Sequence, residues 1–178
     1  MSFTTPHQLK PVLAREEIEK RIKGLSLEIS QDYAGLDLVL IGVLNGVFMF
    51  MSDLAKDLTI PACIDFVRLA SYGAGMKTSG RIVLGKDLDC DLAGRHALIV
   101  EDIADSGITI DWLKKHIAEK GAASVKVCVL VDKLERRDVA VRLDYVGFQV
   151  EQGFLVGYGM DYNGQYRCLP DIYHLILS

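Results

Sequence analysis

The feature that most constrains this chain is a set of short apolar runs that do not alternate. Residues 36–43 read LDLVLIGV, residues 97–100 read ALIV and residues 125–131 read VKVCVLV. A strand with one wet face alternates apolar and polar side chains, whereas a nearly continuous apolar run suits a strand covered on both faces. Helical patterns separate the runs. Over residues 14–33, Ile18, Ile22, Leu25 and Ile29 recur at helical spacing among charged residues. Residues 47–58 read as a second helix, apolar on most sides over its first half, which suits deep core or a partner surface. Residues 110–120 read as a third, closed by Gly121. Further strands are expected at 63–72, 81–88 and 145–150, with a glycine-rich loop, GAGMKTSG, at 73–80. This order implies an α/β fold with a mainly parallel sheet flanked by helices. In such sheets ligands bind beyond the carboxyl ends of the strands.

Composition removes several classes. A chain of 178 residues suits one domain with a single sizeable core. The net charge is −4 with no long basic run, which argues against nucleic-acid binding. No stretch reaches the ~20 apolar residues of a membrane span. The first ten residues, MSFTTPHQLK, lack the apolar centre of a secretory signal. Cys63, Cys90, Cys128 and Cys168 are far apart and form no C-x-x-C pair. Free thiols in a reducing cytoplasm fit better than disulfides or structural zinc, and Cys63 and Cys128 are expected to be buried. Half of the residues are hydrophobic and the mean hydropathy is +0.22, which points to a buried subunit interface.

The richest segment is 99–109, IVEDIADSGIT. An apolar strand runs into Glu101 and Asp102, then through Asp105, Ser106 and Gly107 to a helix opening near Thr109. Successive N–H groups in such a turn, together with a helix N-terminus, favour an anion. The hydroxyls of Ser106 and Thr109 add donors, and Gly107 allows close approach of the backbone. Ionised carboxylates only accept hydrogen bonds, so Glu101 and Asp102 suit a vicinal diol or a bridging cation. Donors for a phosphate and acceptors for a diol, a few residues apart, are complementary to ribose 5-phosphate.

These residues resemble the signature by which type I phosphoribosyltransferases bind 5-phosphoribosyl diphosphate (PRPP), and the likeness runs from about residue 36 to 170. In detail the chain is similar to the hypoxanthine (guanine) phosphoribosyltransferases. Four further segments carry the likeness: Leu44-Asn45-Gly46, Arg68 to Tyr72, Asp132-Lys133, and Gly153 to Arg167. The resemblance implies a Rossmann-like sheet forming one domain over 1–178, with a flexible lid at about 71–81 and a small hood from the N-terminal and C-terminal segments. It also implies PRPP and a 6-oxopurine base as substrates, a nucleotide product, Mg2+ as cofactor, and a homodimer or homotetramer.

Residue roles follow from the same resemblance. Glu101 and Asp102 hold the ribose hydroxyls and metal, and Ser106, Gly107, Ile108 and Thr109 cradle the 5′-phosphate. Asn45 and Gly46, in a loop that often carries a non-proline cis peptide, contact the diphosphate, as does Arg167. Lys133 donates to the exocyclic O6, Phe154 stacks on the purine, and the backbone of Leu155 faces the base edge. Asp161 serves a second magnesium ion, often through water. Asp105 is the general acid/base at N7, and Ser71 and Tyr72 close over the diphosphate. Two positions depart from the pattern. Asn45 stands where a lysine is common, and Ile108 where some relatives are basic. A xanthine-preferring enzyme and a non-catalytic PRPP sensor on the same fold are the rival readings.

Overall fold

The computed structural model describes residues 8–71 and 82–176, with the side chains of Ala70 and Ser71 left aside. Its elements are β1 (Gln8–Leu13), α1 (Arg15–Asp32), β2 (Leu38–Leu44), α2 (Phe48–Asp57), β3 (Ala62–Ser71), β4 (Ile82–Lys86), β5 (His96–Ala104), α3 (Ile108–Glu119), β6 (Ser124–Lys133), β7 (Tyr145–Val150), β8 (Leu155–Val156) and β9 (Ile172–Ile176).

Six strands form the main sheet in the order β4-β3-β2-β5-β6-β7, and only β4 runs antiparallel. The apolar runs occupy its centre, as their patterning requires. Successive side chains point to opposite faces. Leu38, Leu40, Leu98, Val100, Cys128 and Leu130 join one core with α1 and α2. Val39, Ile41, Ala97, Ile99, Val127 and Val129 join the other, under α3. Fully burying one such side chain is worth about 1.5–3 kcal/mol, so the three central strands dominate stability. The chain moves outward from β2 to β3, then crosses back to place β5 on the other side of β2. That reversal opens a crevice between the loops following β2 and β5.

Helix α1 buries its isoleucines as expected, and also Ser26 and Ser30. Both serines tie the helix to the region of α2: Ser26 Oγ donates to the Leu54 carbonyl at 3.1 Å, and Ser30 Oγ accepts from Thr59 N–H at 3.1 Å. The apolar side of α2 is consumed by the chain's own core. Val47, Phe50, Met51 and Leu54 are buried, which leaves Phe48 as its large exposed apolar residue. Cys128 is buried, but Cys63 is only half-buried, because its strand lies one position from the sheet edge.

Residues 8–13 carry no strand signature, and Pro11 interrupts them. They nevertheless pair antiparallel with β9, with a register shift between Pro11 and Leu13, and β9 pairs with the two-residue β8. This second sheet, ordered β1-β9-β8, draws on both terminal regions. It carries Leu155 toward the crevice end of the main sheet.

Candidate active site

Strand β5 delivers the acidic segment. Glu101 is buried within the strand's last turns of pleat, and its Oε2 has no hydrogen-bond partner. Burial drives the Glu101 carboxyl well above its usual range, and neighbouring Asp102 adds to the rise. Burial likewise pushes Asp102 up to about 6, against backbone N–H groups including that of Ile103, 2.9 Å from Oδ1, which favour the ionised form. Buried carboxylates without donors are costly, and a cation or hydroxyl donors would relieve the cost.

The turn to α3 follows at once. Gly107 is the N-cap of α3 with φ +82°, and a Cβ there would lie 2.4 Å from the Val139 carbonyl oxygen. Glycine is required by the φ and by this packing of segment 138–139, which refines the expectation that it serves phosphate approach alone. Ser106 Oγ accepts the Ile108 N–H at 3.3 Å, leaving its own proton free to be donated. Thr109 lies in the first turn, where helical N–H groups have no carbonyl partner.

The loop after β2 faces this segment. Leu44–Asn45 is a cis peptide bond. Gly46 sits so close to the acidic pair that a Cβ would fall 1.8 Å from Asp102 Oδ2. The Gly46 carbonyl in turn lies 2.0 Å from where a Cβ on Gly159 would stand. Arg167 completes this wall: Nη1 donates to the Gly159 carbonyl at 2.6 Å, and Nη2 pairs with Asp161 Oδ1 at 2.6 Å. The second Asp161 oxygen accepts Gly164 N–H at 2.8 Å. Asp161 is thus engaged on both oxygens, which suits contact with a metal through water. A cavity of about 250 Å³ is lined by Asn45, Gly46, Glu101, Asp102, Thr109, Asp161 and Arg167, with Val43, Leu44, Leu69 and Ile82.

A second cavity, of about 310 Å³, opens at the end of β6. Lys133 is buried there, with its Nζ 3.3 Å from Asp105 Oδ1 and 3.8 Å from Glu135 Oε2. A lysine ammonium held this way keeps its donors directed into the cavity. Phe154 stands across from it, 44% exposed, and meets Tyr162 edge-on at 5.5 Å between ring centroids. It is therefore a wall of the cavity rather than a core residue. Leu155 is buried and lines the same space, with Met160, Ile103, Gly153 and Arg136. Asp102 and Asp161 border both cavities, so the two are halves of one crevice.

Most of the expected residues therefore meet at one end of the main sheet. The Ser71 side chain, Tyr72 and the loop 73–80 lie outside the described residues; the Ser71 backbone pairs with Ile82. Met160, Glu135 and Arg136 went unsuspected as cavity residues. Met160 lies within a recognised segment but reads as ordinary core, and Glu135 and Arg136 read as solvated charges. No helix among the described residues is long and apolar enough to cross a membrane.

A phosphate-type turn after β5, an acidic pair at the strand end and a crevice at the switch point define a phosphoribosyltransferase fold. A model of the phosphoribosyl transferase domain matches residues 8–163, and the chain belongs to that family. It is 40% identical over 173 residues to the hypoxanthine phosphoribosyltransferase of Salmonella typhimurium, covering 96% of this chain and 97% of that protein. It is 41% identical over 167 residues to the hypoxanthine-guanine phosphoribosyltransferase of Aquifex aeolicus, covering 93% and 94%. The crystal structure of a hypoxanthine-guanine phosphoribosyltransferase from Bacillus anthracis superposes with a TM-score of 0.90 at 38% identity, covering 96% of this chain and all of that one.

Proposed function

We propose that this chain transfers the 5-phosphoribosyl group of PRPP to N9 of hypoxanthine or guanine, giving IMP or GMP and diphosphate, in purine salvage. The observation that carries this reading is the divided crevice. One half offers acceptors and anion donors, and the other offers a buried lysine opposite an open aromatic face. Glu101 and Asp102 accept the ribose hydroxyls, and residues 106–109 hold the 5′-phosphate. Asn45, Gly46 and Arg167 hold the diphosphate. Lys133 donates to O6 of the base, which favours oxopurines over adenine, whose exocyclic nitrogen is itself a donor. Phe154 stacks on the ring, and the Leu155 backbone meets its edge.

As N9 bonds to C1 of the ribosyl group, the bond from C1 to the diphosphate oxygen breaks with inversion. Asp105 accepts the proton leaving N7. Arg167 is placed to stabilise charge gathering on the diphosphate. By resemblance, Ser71 and Tyr72 are given the role of excluding water from the diphosphate.

Magnesium fits the donor set. Glu101 Oε2 is buried without a partner, and Asp102 and Asp161 border the same cavity. No three candidate ligands among the described residues converge to hold a metal unaided. Magnesium is commonly held by one or two carboxylates, with water and substrate phosphates completing the shell. When bound it supplies charge neutralisation on the diphosphate. The same reading includes one domain with a hood formed by the β1-β9-β8 sheet, residence in the cytoplasm, and assembly as a homodimer or homotetramer. Phe48 and Ile64 are among the exposed large apolar side chains that assembly could cover.

The deciding experiment supplies purified protein with magnesium, PRPP and hypoxanthine, guanine or xanthine in competition, with a chelator control. IMP or GMP should accumulate, xanthine should compete poorly, and chelation should stop turnover. Folded protein that forms no nucleotide at saturating PRPP overturns the reading, and preferential use of xanthine corrects the base assignment.

A further inference from the structure

Resting on that reading, we propose that Arg137 is a positioning residue that fixes Asp105 and Lys133 relative to one another and so couples base recognition to proton transfer. The argument begins where the sheet stops. The β5–β6 ladder ends at Ala104 opposite Asp132, while Lys133 continues to pair with Val150 of β7 on its other side. Past that point no strand hydrogen bond joins the backbone of Asp105 to that of Lys133. The Arg137 guanidinium takes over from the ladder. Its Nε donates to the Asp105 carbonyl at 3.0 Å, and its Nη2 donates to the Ala104 carbonyl at 3.1 Å and to the Asp132 carboxylate, sharing a proton with the Lys133 carbonyl 3.4 Å away. Its stem packs beside the N-cap of α3, 3.3 Å from where a Cβ on Gly107 would lie.

The chemistry of this junction needs that planar fork. Ala104 and Asp132 are buried, so carbonyl and carboxylate oxygens there need donors. A guanidinium presents several N–H groups in fixed directions, whereas a lysine ammonium is a point charge on a flexible stem. Lysine at 137 could still pair with Asp132, but could not span both strand ends at once. The 3.3 Å spacing of Lys133 Nζ and Asp105 Oδ1 is set by the two backbones the fork joins. O6 and N7 are neighbouring positions on the purine, so one base can meet both side chains only while that spacing holds.

The test compares Arg137→Lys and Arg137→Met with the wild-type enzyme by thermal melting and by steady-state kinetics in each substrate. For Arg137→Lys we expect a cooperative melt close to wild type. Its kcat/KM for hypoxanthine should fall about thirtyfold, within the ~10²-fold range associated with misplaced reacting groups. KM for PRPP should stay within about threefold, which separates lost positioning from general damage. Arg137→Met should show the same kinetic split with a lower melting temperature; if it does not fold, Arg137→Lys alone decides. A folded Arg137→Lys variant with wild-type kinetics overturns the proposal. So does a variant that loses apparent affinity for PRPP and hypoxanthine equally. A wild-type protein that forms no nucleotide sinks the functional reading instead, and this proposal falls with it.

Discussion

Two groups of buried carboxylates share the main sheet and are treated in opposite ways. Asp65, within β3, accepts backbone N–H groups of Phe66 at 2.7 Å, Asp89 at 2.7 Å and Cys90 at 2.9 Å. Burial raises its carboxyl, but the three backbone donors, led by Cys90, prevail and bring it down to about 2. Glu101 and Asp102, at the end of β5, lack such a set, and burial drives both upward. The difference teaches how to tell a structural acid from one reserved for a ligand. A satisfied carboxylate has spent its acceptor capacity on the fold, and an unsatisfied one has kept it. Asp65 ties β3 to the connection between β4 and β5. Glu101 offers its oxygen to the crevice.

The largest predicted effect tests the reserved side. Glu101→Gln should lower kcat/KM by roughly 10²-fold or more, as for other lost charge-stabilising contacts. Its melting temperature should hold or rise, because a carboxyl whose ionisation burial opposes is replaced by a neutral amide. A large loss of stability would break the distinction. Next comes the converse. Asp65→Ala should destabilise by about 2–3 kcal/mol through three orphaned donors, measured by denaturant unfolding, with kcat of the folded fraction unchanged. A smaller effect follows from acid titration. The Asp65 carboxyl is lowered in the folded state from 3.8 to about 2, so its contribution is fully present above 3.8 and is lost as pH falls through 2. The stability gap between wild type and Asp65→Asn should therefore narrow as pH drops across that window, and a constant gap would refute the assignment. Smallest of all should be Lys86→Met. Lys86 Nζ lies 3.3 Å from Asp65 Oδ1 but is substantially exposed, so its loss should lower stability less than any Asp65 change, and less still in high salt.

The same contrast explains what could be read in the sequence. Glu101 and Asp102 were legible because charge directly follows a buried apolar run, a local pattern. Asp65 was not, because its partners Asp89 and Cys90 lie 24 and 25 residues away. The central strands and three helices announced themselves through period and punctuation. Strands β1 and β9 did not: their pairing joins opposite ends of the chain, as in Gln8 opposite Ile176, and Pro11 obscures the pattern. Lys133 was found through the resemblance, yet its burial and its pairing with Asp105 come only from the packing of two strand ends. Arg137 looked like one more charge in a polar run, because what it binds is mostly carbonyl, which sequence does not distinguish.

The β1-β9-β8 sheet has a consequence for assembly during synthesis. All six strands of the larger sheet have left the ribosome once Val150 emerges, carrying the acidic pair, the phosphate turn and Lys133. Among the described residues, the strand that bears Leu155 finds its ladder partner in β9, which is complete at Ile176. A nascent chain thus owns the acidic pair, the phosphate turn and Lys133 before Asp161 and Arg167 can close one half of the crevice and the strand bearing Leu155 can wall the other. Shortening the C-terminus by a few residues should therefore weaken purine retention while leaving the large sheet intact.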